Sequence, residues 1–435
     1  MSDSMFSQRM AEWAYTSGPT HLQAQKEAIC SFVDTAACVL GGRSSPQVQG
    51  VLASHGAFGE PHSAYTRAMA LGVAAHALDF DDYDLIASTH PSAVIIPALV
   101  ALCEKRPEAA ETLTEAYVVG YETIVALGSL LGYGHYEAGW HATATIGAVG
   151  VAAACAKALG LEGERFCHAV AFSASMASGL QANFGTHAKA IHAGLTARNG
   201  LQAAAFAASG LVANPGVFDQ ELGFVSVFAG DRGPQTHRVS ILEDRPALVT
   251  SPPARKPWPS CAYTHRLIKA ALTLAPTVGD DFTHLDRITI RIPQPYFRIS
   301  SFRRPQDESQ ARFSVTYCVA AALMKGAITF ESFEPATLAQ PDIVELEARI
   351  QVAAYEPAED PGDLNPAYPD SLEIRLADHR ILTSAISVIP GGRDDPLTDD
   401  HLIRKYESCG GEREKAKTAL TSVSRLSSAL LDCFT

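Results

Sequence analysis

Apolar residues recur at three- and four-residue spacing through most of the first 245 positions. In LQAQKEAICSFVDTAACVLGG, residues 22–42, they line one face and stop at Gly-Gly, which predicts an amphipathic helix. The same rhythm predicts helices over roughly 60–80, 92–105, 111–130, 142–160, 163–181 and 192–212. LEGERFCHAVAFSASMASGL and HAGLTARNGLQAAAFAASG place Ala, Gly and Ser on several faces. Small side chains let helix backbones approach closely, so these read as central helices. No period of self-similarity runs through the segment, which favours a compact bundle over a repeat array.

The rhythm changes near residue 245. RPALVTSPPARKPWPSC is too rich in proline for a long helix. LDRITIRIP (285–293) then alternates, with Ile288, Ile290 and Ile292 opposite Arg287, Thr289 and Arg291, the pattern of a half-buried strand. Residues 371–389 read as two strands joined at Ala377, Asp378 and His379, and 348–355 as another strand. ARFSVTYCVAAALMKG (311–326) reads as a helix ending at Gly326. Helical sequence returns after Thr398, placed as an N-cap, and closes with EKAKTALTSVSRLSSALLDCF. The expectation is a mainly α protein. A large all-helical domain is built from both chain ends (1–255 and 391–435), with a smaller α+β domain (256–390) inserted.

Composition narrows the function. The chain is 47% apolar and 19% charged, as in ordinary globular proteins. Its formal net charge of −13 argues against nucleic acid or an anionic membrane as partner. An acidic substrate would need a local positive charge of its own. The start MSDSMFSQRMAEWAY lacks a secretory pattern, and the most apolar run, 142–156, is too short to span a bilayer. Nine scattered cysteines without a CxxC pair fit reduced thiols, so a cytoplasmic protein is expected.

Five stretches hold the ionisable chemistry. In DFDDYDLIASTHPS, Asp79, Asp81, Asp82 and Asp84 precede His90, with His76 just before. A metal cage, a catalytic wall and a solvated loop are the alternatives. The run lacks the spacing of an EF-hand and of a zinc protease. Asp84 is expected in solvent, while Asp79 and Asp82 are expected to accept hydrogen bonds from a histidine or loop amides. In GHYEAGWHATATIG, His141 opens a helix whose amides would favour an anion, or is a core histidine. In NFGTHAKAIHAG, Lys189 precedes His192 and is the only lysine or arginine from Phe166 to Leu195, so it must reach solvent, an acid or an anionic ligand. In RKPWPSCAYTHRL, Cys261 reads as a buried thiol, and His265 and Arg266 begin a helix. Tyr317 in FSVTYCVAAAL reads alone as core packing. Phosphate-binding glycine loops and a GxSxG elbow are missing from the sequence.

Taken together and in this order, HALDFDD…HPS, GWHATATIG, GTHAKAIHAG, KPWPSCAYTH and FSVTYCVAAAL resemble the MmgE/PrpD family. The resemblance implies a large helical domain from both chain ends, an inserted α+β domain, an active site in the cleft between them and a homodimer. It implies no metal and no organic cofactor. It places active-site positions at Asp79, His90, His141, Lys189, His265 and Tyr317. Tyr83 departs from the family's usual threonine, and Ala190 from a common proline. The implied chemistry breaks a bond beside a carboxylate of a small di- or tricarboxylic acid. A histidine base and fixed positive charge serve that step. His141 is the first candidate for acid/base catalyst and His90 the next. Lys189 would bind a substrate carboxylate, and Asp79 would orient a histidine. His265 and Tyr317 would donate protons or hydrogen bonds. Tyr83, His192 and Arg266 complete the expected substrate-binding set. A hydro-lyase of the 2-methylcitrate dehydratase type is the leading expectation. An iminodisuccinate-type epimerase or a cis-aconitate-type decarboxylase is the alternative. A non-catalytic binding protein on the same scaffold is the reading from another class.

Overall fold

A computed structural model of the chain describes residues 5–58, 62–235, 245–279, 281–358 and 362–421. They form mainly helices, with one four-stranded sheet in the C-terminal half. Two compact units divide them. One runs through Arg255 and resumes at Leu397; the other is Lys256–Pro396.

In the helical unit, Ser92–Cys103 is buried at every position, and so are the first fifteen residues of Ala142–Ala158. Helices without a wet face form the centre of a bundle. His187–Ala208 packs along Ala64–His76, Ala142–Ala158 and Gly163–Ala174. Its crossing with Ala64–His76 is set by glycine. A Cβ at Gly72 would lie 2.9 Å from Gly194 Cα, and one at Gly194 would lie 2.5 Å from the Met69 carbonyl oxygen. Without those side chains the two backbones touch, and this brings Lys189 beside His76.

Element boundaries differ from the periodicity in two informative places. The helix expected over 163–181 ends at Ala174. Gly179 then adopts φ 137°, a region nearly closed to other residues, and its carbonyl accepts the His141 N–H at 3.0 Å. The helix expected from 192 begins at His187, because Thr186 caps it through Ala188 N–H at 3.2 Å. Lys189 and His192 therefore stand in its first turns.

At the C-terminal end, Asp399–Ser408 is capped by Thr398, which accepts the His401 N–H at 3.3 Å, and packs against Leu22–Gly42. Arg413–Thr421 follows. The rest of the expected last helix, with Cys433, lies outside the described residues. The eight described cysteines are free thiols. Among the described residues no helix is long and apolar enough to cross a membrane.

The smaller unit carries β1 (Leu285–Pro293), β2 (Ile350–Tyr355), β3 (Asp370–Leu376) and β4 (Ile381–Ile386), in the order β2-β1-β3-β4. β1 pairs parallel with β2 and antiparallel with β3, and β3 and β4 form a hairpin whose turn holds His379 at φ 69°. Ile288, Ile290 and Ile292 are fully buried, as the alternation requires. Ala262–Val278 covers β3 and β4, and Val315–Lys325 packs on that helix before stopping at left-handed Gly326. β2 starts two residues later than expected because Pro341–Arg349 is helical.

Candidate active site

The four clustered aspartates face four different partners. Asp79, at φ 51°, sits in the left-handed conformation that ends the Ala64–His76 helix, and it meets Lys189 with Oδ1 2.5 Å from Nζ. Asp81 is fully buried, with Oδ2 2.7 Å from His76 Nδ1 and 3.1 Å from His90 Nδ1. Asp82 turns into the core, where it takes the Ser92 backbone N–H at 3.3 Å and the Ser92 hydroxyl. Asp84 accepts from Ala87 N–H at 2.7 Å and from the Tyr121 hydroxyl at 3.1 Å.

One expectation changes here. Asp84 is buried, not solvated, and burial raises its carboxyl to about 6 against the pull of the Ala87 and Ile86 amides. Asp82 takes the backbone amide of the two alternatives expected for it and orders the start of the Ser92–Cys103 helix; burial, then Asp34, raises it to about 7. The carboxylate that meets histidines is Asp81. Burial alone would raise it, but His76 and His90 outweigh burial and hold it well below the usual range.

Lys189 is the charge at the centre. Its Nζ also lies 2.8 Å from His76 Nε2, and 5.5 Å from the centre of the Phe184 ring. The lysine is 7% exposed, and its ammonium is held by Asp79 and His76. Because it donates to His76 Nε2, that imidazole is neutral. Burial first, then the Lys189 charge, lower the His76 pKa, while Asp81 opposes the shift.

His141, N-cap of Ala142–Ala158, stands 5.8 Å from His76 ring to ring and 5.0 Å from Phe184. Its Nδ1 lies 3.1 Å from His192 Nδ1, so one ring donates to the other. Its Nε2 is buried with no hydrogen-bond partner among the described residues. Burial, then Lys189 and the neighbouring histidines, hold His141 well below the ordinary histidine range. His192 is lowered to about 4, by burial first and then by His76 and Lys189. His90 is fixed by its backbone N–H on Thr143 Oγ1 at 3.1 Å, and the Tyr83 ring meets it edge-on at 5.1 Å. Tyr83 itself is anchored by paired 2.8 Å backbone bonds with Ala254.

The helical unit thus brings together Asp79, Tyr83, His90, His141, Lys189 and His192. It adds His76 and Asp81, which residue-by-residue reading left out. Their signal was present: a histidine at a helix end, five residues before one of several equivalent aspartates.

In the smaller unit, His265 is fully buried, with Nε2 3.1 Å from the Ser260 carbonyl and Trp258 edge-on at 5.3 Å. The Tyr317 hydroxyl donates to the Ser332 carbonyl, and burial raises its phenol. Arg266, expected to bind substrate, is fully buried. It donates to the carbonyls of Leu364 and, at 3.2 Å, Tyr368. The guanidinium holds the 362–370 loop and is not presented at a surface.

His76, Asp79, Asp81 and His90 offer ligand atoms within 4.8 Å of one another, a set that suits a divalent metal ion. An ion there would have to displace the Lys189 ammonium from Asp79 and His76. As it stands, the cluster is one fixed cation, two carboxylates and neutral imidazoles, which is equipment for binding an anion and moving protons.

A discontinuous helical unit carries this cluster, and an α+β unit is inserted in its sequence. The chain belongs to the MmgE/PrpD family. The family's N-terminal domain matches residues 8–237 and its C-terminal domain residues 258–426. It is 31% identical over 354 residues to the cis-aconitate decarboxylase of Homo sapiens, covering 78% of this chain and 70% of that protein. It is 28% identical over 377 residues to the Mus musculus cis-aconitate decarboxylase, covering 83% of this chain and 75% of that one. A cis-aconitate decarboxylase-like protein of Aspergillus oryzae is 27% identical over 351 residues, 76% of this chain and 72% of its own.

Proposed function

We propose that the protein decarboxylates a small unsaturated tricarboxylic acid of the cis-aconitate type by acid/base chemistry around Lys189. The supporting observation is one buried ammonium fixed among neutral histidines, in a chain whose relatives carry the name of that reaction. Decarboxylation therefore takes the lead over the hydro-lyase expected from the sequence.

The chemistry assigns the work. In cis-aconitate the carboxylate on the saturated carbon leaves as carbon dioxide. The freed electron pair forms a new double bond to the central carbon. The old double bond moves its pair onto the carbon beside the other terminal carboxylate, and a proton must then reach that carbon. Lys189 binds a carboxylate and stabilises the charge that builds there. Asp79 and His76 hold the ammonium in place. His141 is neutral in the free protein, and a polyanion brought beside it favours its protonation, so it becomes the proton donor. His90 is the next candidate, with Tyr83 shaping its surroundings and His192 orienting His141. His265 and Tyr317 stay in the proposal as hydrogen-bond or proton donors during turnover. No organic cofactor is required. A homodimer belongs to the same proposal.

A neutral His141 is equally ready to remove a proton, which dehydration or epimerisation would need. That observation keeps a 2-methylcitrate dehydratase-like or iminodisuccinate-type activity as the second reading. Proton NMR in deuterated water with cis-aconitate, 2-methylcitrate and iminodisuccinate separates them. Release of carbon dioxide with one deuterium placed on carbon supports the proposal. A new alkene without loss of carbon, or exchange with inversion, replaces it.

A further inference from the structure

Asp81 and His76 form a unit that does more than fill the wall of the site. An ionised carboxylate only accepts hydrogen bonds. Asp81 Oδ2 is hydrogen-bonded to Nδ1 of His76 at 2.7 Å, so that ring presents an N–H there, while Nδ1 of His90 lies 3.1 Å from the same oxygen without hydrogen-bond alignment. A neutral imidazole has one N–H, and its Nε2 then carries the lone pair. For His76 a second contact gives the same answer independently. Its Nε2 lies 2.8 Å from Lys189 Nζ, a group that can only donate. The ring is specified from both sides. The two rings also meet edge-on at 4.5 Å, so neither can flip without disturbing the other.

We infer that Asp81 is a tautomer lock: it holds His76 as the Nδ1–H imidazole, so that His76 Nε2 aims the Lys189 ammonium. Asp81 and His76 are positioning residues acting through Lys189. The catalytic consequence rests on the proposed acid/base reaction; the tautomer itself does not.

The test uses full-length protein with 15N-labelled histidine, the His76 signal assigned with His76→Gln. Long-range 1H–15N spectra report which ring nitrogen carries hydrogen. The expected wild-type result is Nδ1–H at His76. Asp81→Asn keeps the shape but can present an NH2 donor where the carboxylate accepted, so the Nε2–H form of His76 becomes populated. On the proposed substrate, kcat falls by about 100-fold or more with KM little changed, since a wrong histidine tautomer alone can cost about 10⁴ in kcat. Asp81→Glu, which keeps a double acceptor, recovers part of the loss. Nε2–H at His76 of the wild type overturns the inference, as does a loss of turnover in Asp81→Asn with the His76 tautomer unchanged. If Asp81→Asn does not fold, the wild-type spectrum alone decides. If none of the acids is turned over, the proposed reaction fails while the tautomer still stands or falls on the spectra.

Discussion

Lys405 Nζ lies 2.7 Å from Asp34 Oδ1, although 371 positions separate them in the chain. The same ammonium donates to the Phe80 carbonyl at 2.6 Å and sits 4.0 Å from the centre of the Phe80 ring. Phe80 lies between Asp79 and Asp81. One buried cation thus ties the C-terminal segment of the helical unit to its second helix and to the loop that carries the site.

Removing that cation strands a buried carboxylate. Lys405→Met should cost about 3–5 kcal/mol, the usual penalty for breaking a buried ion pair from one side. Thermal unfolding would show a lowered Tm. The double variant Lys405→Met with Asp34→Leu should recover much of the loss, since an apolar pair replaces an ionic one. Equal Tm values for wild type and Lys405→Met would remove the clamp from this account.

His141 makes a pH prediction. Burial and its cationic neighbours hold it well below its ordinary range, and His192 is held at about 4, so both are neutral near pH 7 in the free protein. If a polyanionic ligand protonates His141, binding takes up a proton, and affinity must fall as pH rises past the pKa in the complex. Calorimetric titration of cis-aconitate in buffers of different ionisation enthalpy measures the uptake. His141→Gln should abolish it and lower turnover by about 100-fold or more while leaving Tm nearly unchanged. Binding with no proton exchanged would rule out His141 as the acid.

Arg266 separates a structural role from substrate binding. Its fork is engaged on the Leu364 and Tyr368 carbonyls, beside Asp370, whose burial raises it to about 7 against the opposing charge of Arg266. Arg266→Leu leaves those groups buried without their partner, so Tm should fall, with KM unchanged in whatever fraction stays folded. A raised KM at unchanged Tm would return Arg266 to the substrate.

Chelation tests the four-residue cluster. Activity should survive prolonged treatment with a strong chelator, because Lys189 supplies the positive charge that a metal would. Loss of activity restored by a divalent ion would place that ion among His76, Asp79, Asp81 and His90.

Much of the fold was legible because periodicity reports burial directly. LDRITIRIP buries its isoleucines on one face as a strand, and the apolar run from Ala93 to Cys103 is buried all round as an inner helix. Local chemistry set ends as well, as Thr398 and Gly326 show. The helix expected over 163–181 ran too long because its small residues permit helix. It stops at Ala174, and Gly179, at φ 137°, then runs so close to Ala144 that a Cβ there would lie 2.8 Å from that side chain.

The site was legible as a set of residues and not as an arrangement. The order of the motifs points to Asp79, His90, His141 and Lys189, which the fold brings together. It could not rank four aspartates of the same charge in one loop. Asp81 and Asp82 are adjacent and chemically alike, yet one serves two histidines and the other a helix start. That choice follows from the left-handed turn at Asp79 and the Asp84–Thr89 bridge, which decide where each side chain points.

By itself the sequence determined the two textures of the chain and the residue types needed to bind an anion and move protons. Those follow from composition and periodicity, which are local. Only the tertiary structure decided that Lys189 is held between Asp79 and His76, that burial lowers the His141 pKa, and that the Arg266 guanidinium holds a loop. Each depends on burial and on contacts between segments distant in the chain, and a low-dielectric interior gives such contacts their force.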